Sequence, residues 1–223
     1  AKDLTAVLDQ LLDDPFLAHR LDPSRVGVAG FSLGGYTAAL AVGGRCSREH
    51  FLAFSRAHGE DAPLGPREFP DVGQVWEELM ATDPAFRRSV AAHADSYRDA
   101  RIRAAFLMNP ALGGAFDAAG LAPIDVPVHV VVTEGDTETP PQHNGCRYAQ
   151  LIANAALTRI EGPAGHYVFL AEATAAGRQA LPELCVDAPT VDRRALHERV
   201  ASLAGSFFDE ALGSGPGNQS ARA

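Results

Sequence analysis

The chain has 223 residues, 46% of them apolar and 21% charged, with a formal net charge of -9. That length holds one sizeable α/β domain or two small ones, and that apolar share builds a packed core, which excludes disorder for most of it. The acidic balance, with no cluster of Lys or Arg, excludes a binder of phosphate backbones, and no apolar run reaches the roughly 18 residues of a membrane span.

In chain order, "DLTAVLDQLLDD" (3–14) sets Leu4, Val7, Leu8, Leu11 and Leu12 on one helical face. The chain turns at Asp22-Pro23 and enters a short strand, Val26 to Ala29. Small residues dominate from Gly34 to Val42, which predicts a helix able to pack close to a sheet. Residues 46–101 change character: "EDAPLGPREFP" is rich in Pro and Gly, and one or two short helices split at Asp83-Pro84 follow it. The segment reads as a helical cap insertion. "IRAAFLMNP" (102–110) and "VPVHVVVTEGD" (126–136) read as buried strands, the second β-branched throughout. "GCRYAQLIANA" reads as helix, "LTRIEG" (157–162) as a short strand and "DRRALHERVASLAGSFFDEAL" (192–212) as a long amphipathic helix. Residues 213–223 read as a disordered tail. Strands alternating with helices predict an α/β core, a mostly parallel sheet with helices on both faces, built from 1–45 and 102–212.

"RVGVAGFSLGGYTAAL" (25–40) admits three readings. As a dinucleotide loop it would want glycines at Gly30, Ser32 and Gly35, but Ser32 blocks close approach of a pyrophosphate and no acid follows about 20 residues on. As a phosphate loop it has Gly30, Gly35 and Thr37, but Tyr36 stands where the lysine belongs. As G-x-S-x-G, a nucleophile elbow, it has Gly30, Ser32 and Gly34 between a strand and a small-residue helix. There the serine sits on a strained turn, both glycines are expected to be small to avoid collision, and the Leu33 N–H at the helix start faces a developing oxyanion.

A serine hydroxyl needs a base, and the base an orienting acid. Asp136 follows the strongest strand directly, on the loop at its C-terminal end, with Glu134 and Glu138 as rivals. His166, in "EGPAGHYVFL", follows the last strand. Of the other histidines, His129 in a strand interior reads as a packing residue, and His143 near Asp136 as a pocket lining or an idle surface group. His19, His50, His58, His93 and His197 read as structural or solvent-facing. Cys46, Cys146 and Cys185 show no metal spacing, and either a Cys146–Cys185 disulfide or three free thiols fits. The expectation is a site with no metal and no cofactor.

With these residues in view, the chain resembles the α/β-hydrolase superfamily, and within it bacterial predicted dienelactone hydrolases, a group related to plasma-type platelet-activating-factor acetylhydrolases. The pieces that carry the resemblance are "DPSRVGVAGFSLGGYTAAL", "FLMNPALG", "VPVHVVVTEGDTETPPQHN", "GPAGHYVFL" and "HERVASLAGSFFDEAL". The resemblance implies nucleophile Ser32, acid Asp136, base His166 and an oxyanion donor at Leu33. True dienelactone hydrolases carry Cys at the elbow, so the label does not give the substrate. The implied activity is cleavage of a small carboxylic ester, with an incomplete or non-catalytic module, or a hydrolase of lactones or amides, as alternatives.

The resemblance also implies an eight-stranded sheet, of which four strands are found. The chain is therefore expected to lack its N-terminal strands, to expose the elbow strand as an edge, to be poorly stable alone or to want self-association or a partner there, and to have weak activity at best. Phe51, Phe54, Trp76, Leu79 and Phe86 are expected either to set substrate preference from the cap or to pack the cap's own core.

Overall fold

A computed structural model of the chain describes residues 1–59 and 71–213. Helix α1 (Lys2–Asp13) leads to strand β1 (Val26–Phe31), which runs through a one-residue turn into α2 (Leu33–Ala41). Three helices follow, α3 (Arg48–Ala57), α4 (Val72–Thr82) and α5 (Pro84–Ala91), before β2 (Ile102–Met108). The rest alternates: α6 (Ala118–Leu121), β3 (Val128–Thr133), α7 (Gly145–Leu151), β4 (Ala155–Ile160), α8 (Ala175–Ala180), α9 (Pro182–Cys185) and α10 (Arg193–Leu212). Most of the expected tail and the "EDAPLGPREFP" segment lie outside the described residues.

The four strands form one parallel sheet in the order β1-β2-β3-β4. All strand C-termini therefore lie at one end, where the connecting loops gather. Alternation along β2 and β3 sends Ala105, Leu107, Val128, Val130 and Val132 into a cluster with α2, Phe116 and Tyr148. Phe106 and Val131 enter a second cluster with Leu196 and Val200 of α10, flanked by Phe207 and Phe208. Both faces are covered, so the central strands read as near-continuous apolar runs, as a parallel sheet requires. Asp192 caps α10 by accepting from the Ala195 N–H at 3.0 Å.

Helix α2 lies close on the sheet because its first turn is small. A Cβ on Gly35 would come within 2.8 Å of Pro110 Cβ. At the other edge β4 starts at Ala155, earlier than local propensity suggested, because Ala155 and Ala156 pair with Val128 and His129. Strand β1 stands at the open edge, and the apolar stripe of α1 is only partly covered: Leu8 and Leu12 are half-buried, while Val7 is 52% exposed.

The inserted segment divides. Helix α3, absent from the sequence reading, is capped by Ser47 and buries Phe54 against Gly114 and the Arg147 guanidinium. Phe51 also packs on the main core. Helices α4 and α5 bury no residue, and Trp76 meets Phe86 edge-on at 4.9 Å.

Candidate active site

Ser32 lies alone between β1 and α2 with φ 55° and ψ -120°. A non-glycine residue there carries strain of about 1–3 kcal/mol and persists only where its surroundings fix it. They do: the Ser32 N–H donates to Met108 O at 3.0 Å, and its carbonyl accepts from the N–H groups of Gly35, Tyr36 and Ala111. The two glycines behave differently. A Cβ on Gly30 would fall 2.1 Å from the Gly34 carbonyl oxygen, whereas one on Gly34 would meet nothing within 4 Å. The expectation that both must be small is corrected: the close approach is at Gly30, because Gly34 already faces open space.

Asp136 sits in the turn after β3, and His166 opens a single 3-10 turn, His166–Phe169, after β4. The sheet brings both to Ser32. Ser32 Oγ lies 2.8 Å from His166 Nε2, and His166 Nδ1 lies 2.7 Å from Asp136 Oδ2. A carboxylate only accepts, so Nδ1 carries the proton, and Nε2 is left to accept from the serine hydroxyl. The His166 and Asp136 side chains are 5% and 0% exposed. The Phe31 ring lies 4.8 Å from the imidazole. His197 on α10 donates from Nε2 to the Val168 carbonyl at 2.6 Å, which pins the turn that carries His166.

Burial pushes the Asp136 carboxyl up. The hydrogen bond and charge of His166, together with the Thr139 N–H and hydroxyl, outweigh it and hold the group below the usual carboxylate range. The Glu138 and Thr139 N–H groups donate to Asp136 Oδ1 at 2.9 and 2.8 Å. The rivals fall elsewhere: Glu134 pairs with Arg159 at 3.5 Å, and Glu138 contributes its backbone to the Asp136 turn. Leu33 is the first residue of α2, so its N–H has no helical carbonyl four residues back.

Other expected residues go to packing. His129 bonds Thr158 Oγ1 at 2.8 Å and stacks on Phe106, and burial pulls its imidazole pKa down. His143 stands 4.7 Å from the His58 ring, away from the Ser32 chain of bonds. His93 reaches the Tyr36 hydroxyl at 2.7 Å, linking the end of the insertion to α2. All three cysteines are free thiols. Among the described residues no cluster of His, Cys, Asp and Glu could hold a metal ion, and no helix is long and apolar enough to cross a membrane.

Three supporting residues escaped the sequence reading. The buried Asn109 amide donates to Thr133 Oγ1 at 2.8 Å and accepts from the Thr133 N–H at 2.9 Å, which ties the end of β2 to β3. Thr139 donates to Asp136 Oδ2 at 2.7 Å and lies 3.0 Å from His166 Nδ1. Arg193, also buried, is held by both Asp187 oxygens and by the carbonyls of Leu170, Ala171 and Leu184. That clamp fixes one wall of a cavity of about 480 Å³, which runs between Glu138, the His166 turn and 183–188. Among the described residues, none of its lining comes from 46–101.

Among solved structures, the chain is similar to the carboxylesterase Cest-2923 of Lactobacillus plantarum WCFS1, at 20% identity and a TM-score of 0.51, over 95% of this chain and 68% of that one. A hydrolase from Pseudomonas aeruginosa PA01 matches at 18% identity and a TM-score of 0.38, over 92% of this chain and 70% of that one. A monoacylglycerol lipase of Paleococcus ferrophilus matches at 16% identity and 0.38, over 90% and 73%. No protein-family model and no curated protein sequence matches. The four-stranded parallel sheet flanked by helices has the α/β-hydrolase fold.

Proposed function

We propose that the chain is a serine hydrolase of carboxylic esters acting through Ser32, His166 and Asp136. The observation that carries the reading is the unbroken run of short bonds, 2.8 Å from serine to imidazole and 2.7 Å from imidazole to carboxylate, at the C-terminal ends of the strands. Ser32 Oγ attacks the ester carbonyl carbon while Nε2 takes its proton. Asp136 holds the ring and stabilises the imidazolium. The Leu33 N–H faces the oxyanion, and Gly30 is the elbow glycine that the turn needs. Collapse expels the alcohol, which takes the proton from Nε2. Water then enters by the same route and releases the acid. The name of the Lactobacillus plantarum neighbour, a carboxylesterase, supports an ester as the substrate class.

Within the fold, the sequence resemblance to bacterial predicted dienelactone hydrolases and plasma-type platelet-activating-factor acetylhydrolases supports a small-molecule ester as the substrate class. The same reading keeps 1–45 with 102–212 as core and 46–101 as a cap. The cavity beside His166 supports the 183–188 wall as a source of substrate preference. Self-association through the open edge of β1 remains part of it.

The test is hydrolysis of a p-nitrophenyl ester series of increasing acyl length, with a lactone and an amide alongside. Ser32→Ala is expected to lower kcat about ten-thousand-fold or more in protein of unchanged circular dichroism. Normal turnover by that variant overturns the reading.

A further inference from the structure

We propose that Thr139 is a positioning residue, whose hydroxyl lies between Asp136 and His166 and steadies the ion pair they form when His166 takes the serine proton. The inference rests on the reading of Ser32, His166 and Asp136 as a triad. It starts from how one hydroxyl can be shared. Thr139 Oγ1 lies 2.7 Å from Asp136 Oδ2, 3.0 Å from His166 Nδ1 and 3.5 Å from the Asn109 carbonyl. The hydroxyl has one proton. The nearest and only charged acceptor is the carboxylate, so the proton points there.

The oxygen lone pairs then face His166, whose Nδ1–H also points to Asp136 Oδ2 at 2.7 Å. The imidazole proton is shared between carboxylate and hydroxyl. The O–H dipole has its positive end on the anion and its negative end on the ring. It stabilises both charges of the pair at once, and more so in a buried site than in water. It also favours the tautomer that leaves Nε2 free to accept. A substrate touches none of this, so the effect belongs to the transition state and not to binding.

Thr139 is itself held in place. Its own N–H and that of Glu138 grip Asp136 Oδ1, so hydroxyl and carboxylate form one turn. The Asn109–Thr133 pair makes a useful contrast. It is more deeply buried and as well bonded, yet none of its side-chain bonds reaches the ring. Asp136 is the charged group on His166. Glu138, Glu183, Asp187 and Arg193 border the neighbouring cavity, the last two paired with each other.

The experiment compares the parent chain with Thr139→Val, Thr139→Ala, Thr139→Ser and Thr133→Val, each checked for fold by circular dichroism. The first readout needs no turnover: the titration midpoint of the His166 ring, followed by NMR together with its low-field Nδ1 proton. Removing the hydroxyl destabilises the imidazolium, so Thr139→Val and Thr139→Ala are expected to move the midpoint to lower pH. Thr139→Ser restores it, and Thr133→Val lowers the melting temperature without moving it. The second readout is kinetic: Thr139→Val is expected to lower kcat about ten- to a hundred-fold, the weight of a hydrogen bond to a charged group, with KM within about twofold. An unmoved midpoint in folded Thr139→Val and Thr139→Ala overturns the inference, as does a Thr139→Ser variant that behaves like valine. Full turnover by Ser32→Ala sinks the triad reading instead, a result that none of the Thr139 variants can produce.

Discussion

The strand ends of the sheet and the α4–α5 pair are both short connections carrying polar and aromatic side chains, but they are held very differently. At the strand ends each key residue has several fixings. The Ser32 backbone has four hydrogen-bond partners, Asp136 receives four donors, and the His166 ring touches Phe31 as well as Asp136 and Ser32. Among the described residues, α4 and α5 bury no side chain fully, and Trp76, edge-on to Phe86, keeps 38% of its surface exposed. A strained φ and an ionised buried carboxylate persist only where many bonds oppose relaxation. Over-determination therefore marks the place where position matters.

The largest effect expected is at the elbow. Gly30→Ala puts a methyl group against backbone at 2.1 Å, so the turn must open. A loss of more than about 3 kcal/mol, read by urea unfolding, is expected, together with loss of activity. Gly34→Ala, with open space at its Cβ, is expected to stay within about 1 kcal/mol of the parent, the ordinary helix-propensity range. Equal losses at the two positions would mean that the turn is not fixed as described.

A smaller effect is the acid limb of stability. The folded-state pKa of Asp136 lies below its unfolded value. Its contribution is therefore complete above the ordinary carboxylate pKa of about 3.9 and is lost as pH falls through the lower folded value. Melting temperature should drop on acidification through that window, and Asp136→Asn should flatten the drop. The smallest effect belongs to α4: Val75→Ala is expected to cost about 1 kcal/mol or less, since the side chain is already 49% exposed. A loss of several kcal/mol there would show that α4 and α5 are anchored as firmly as the strand ends.

Much of this was legible in the chain itself, for physical reasons. "AAFLM" and "VHVVV" are buried on both faces, so their apolar runs mark central parallel strands. Ser32, Asp136 and His166 stood out because each follows a strand end, in an order that lets one sheet gather them. The supports were harder to see. Asn109 falls just after β2 and before Pro110, while its side chain bridges to Thr133 across 24 residues of sequence, which no local pattern encodes. Asp136 does form an Asx-type turn, its Oδ1 accepting from the Glu138 N–H two residues on, but that spacing does not single out the Thr139 hydroxyl. Helix α3 was hidden because what buries Phe54 is Gly114 and Arg147, distant in sequence. The short α6, α8 and α9 lack the length for a periodic pattern.

The central claim is that Ser32 and His166 form a working nucleophile and base in this chain. The direct measurement is treatment of the native protein with a fluorophosphonate probe, followed by intact mass and peptide mapping, with heat-denatured protein as control. One phosphonyl adduct is expected, on Ser32, in the native sample alone, with its loss in His166→Ala. A folded sample that takes no label, or takes it equally after denaturation, would contradict the account.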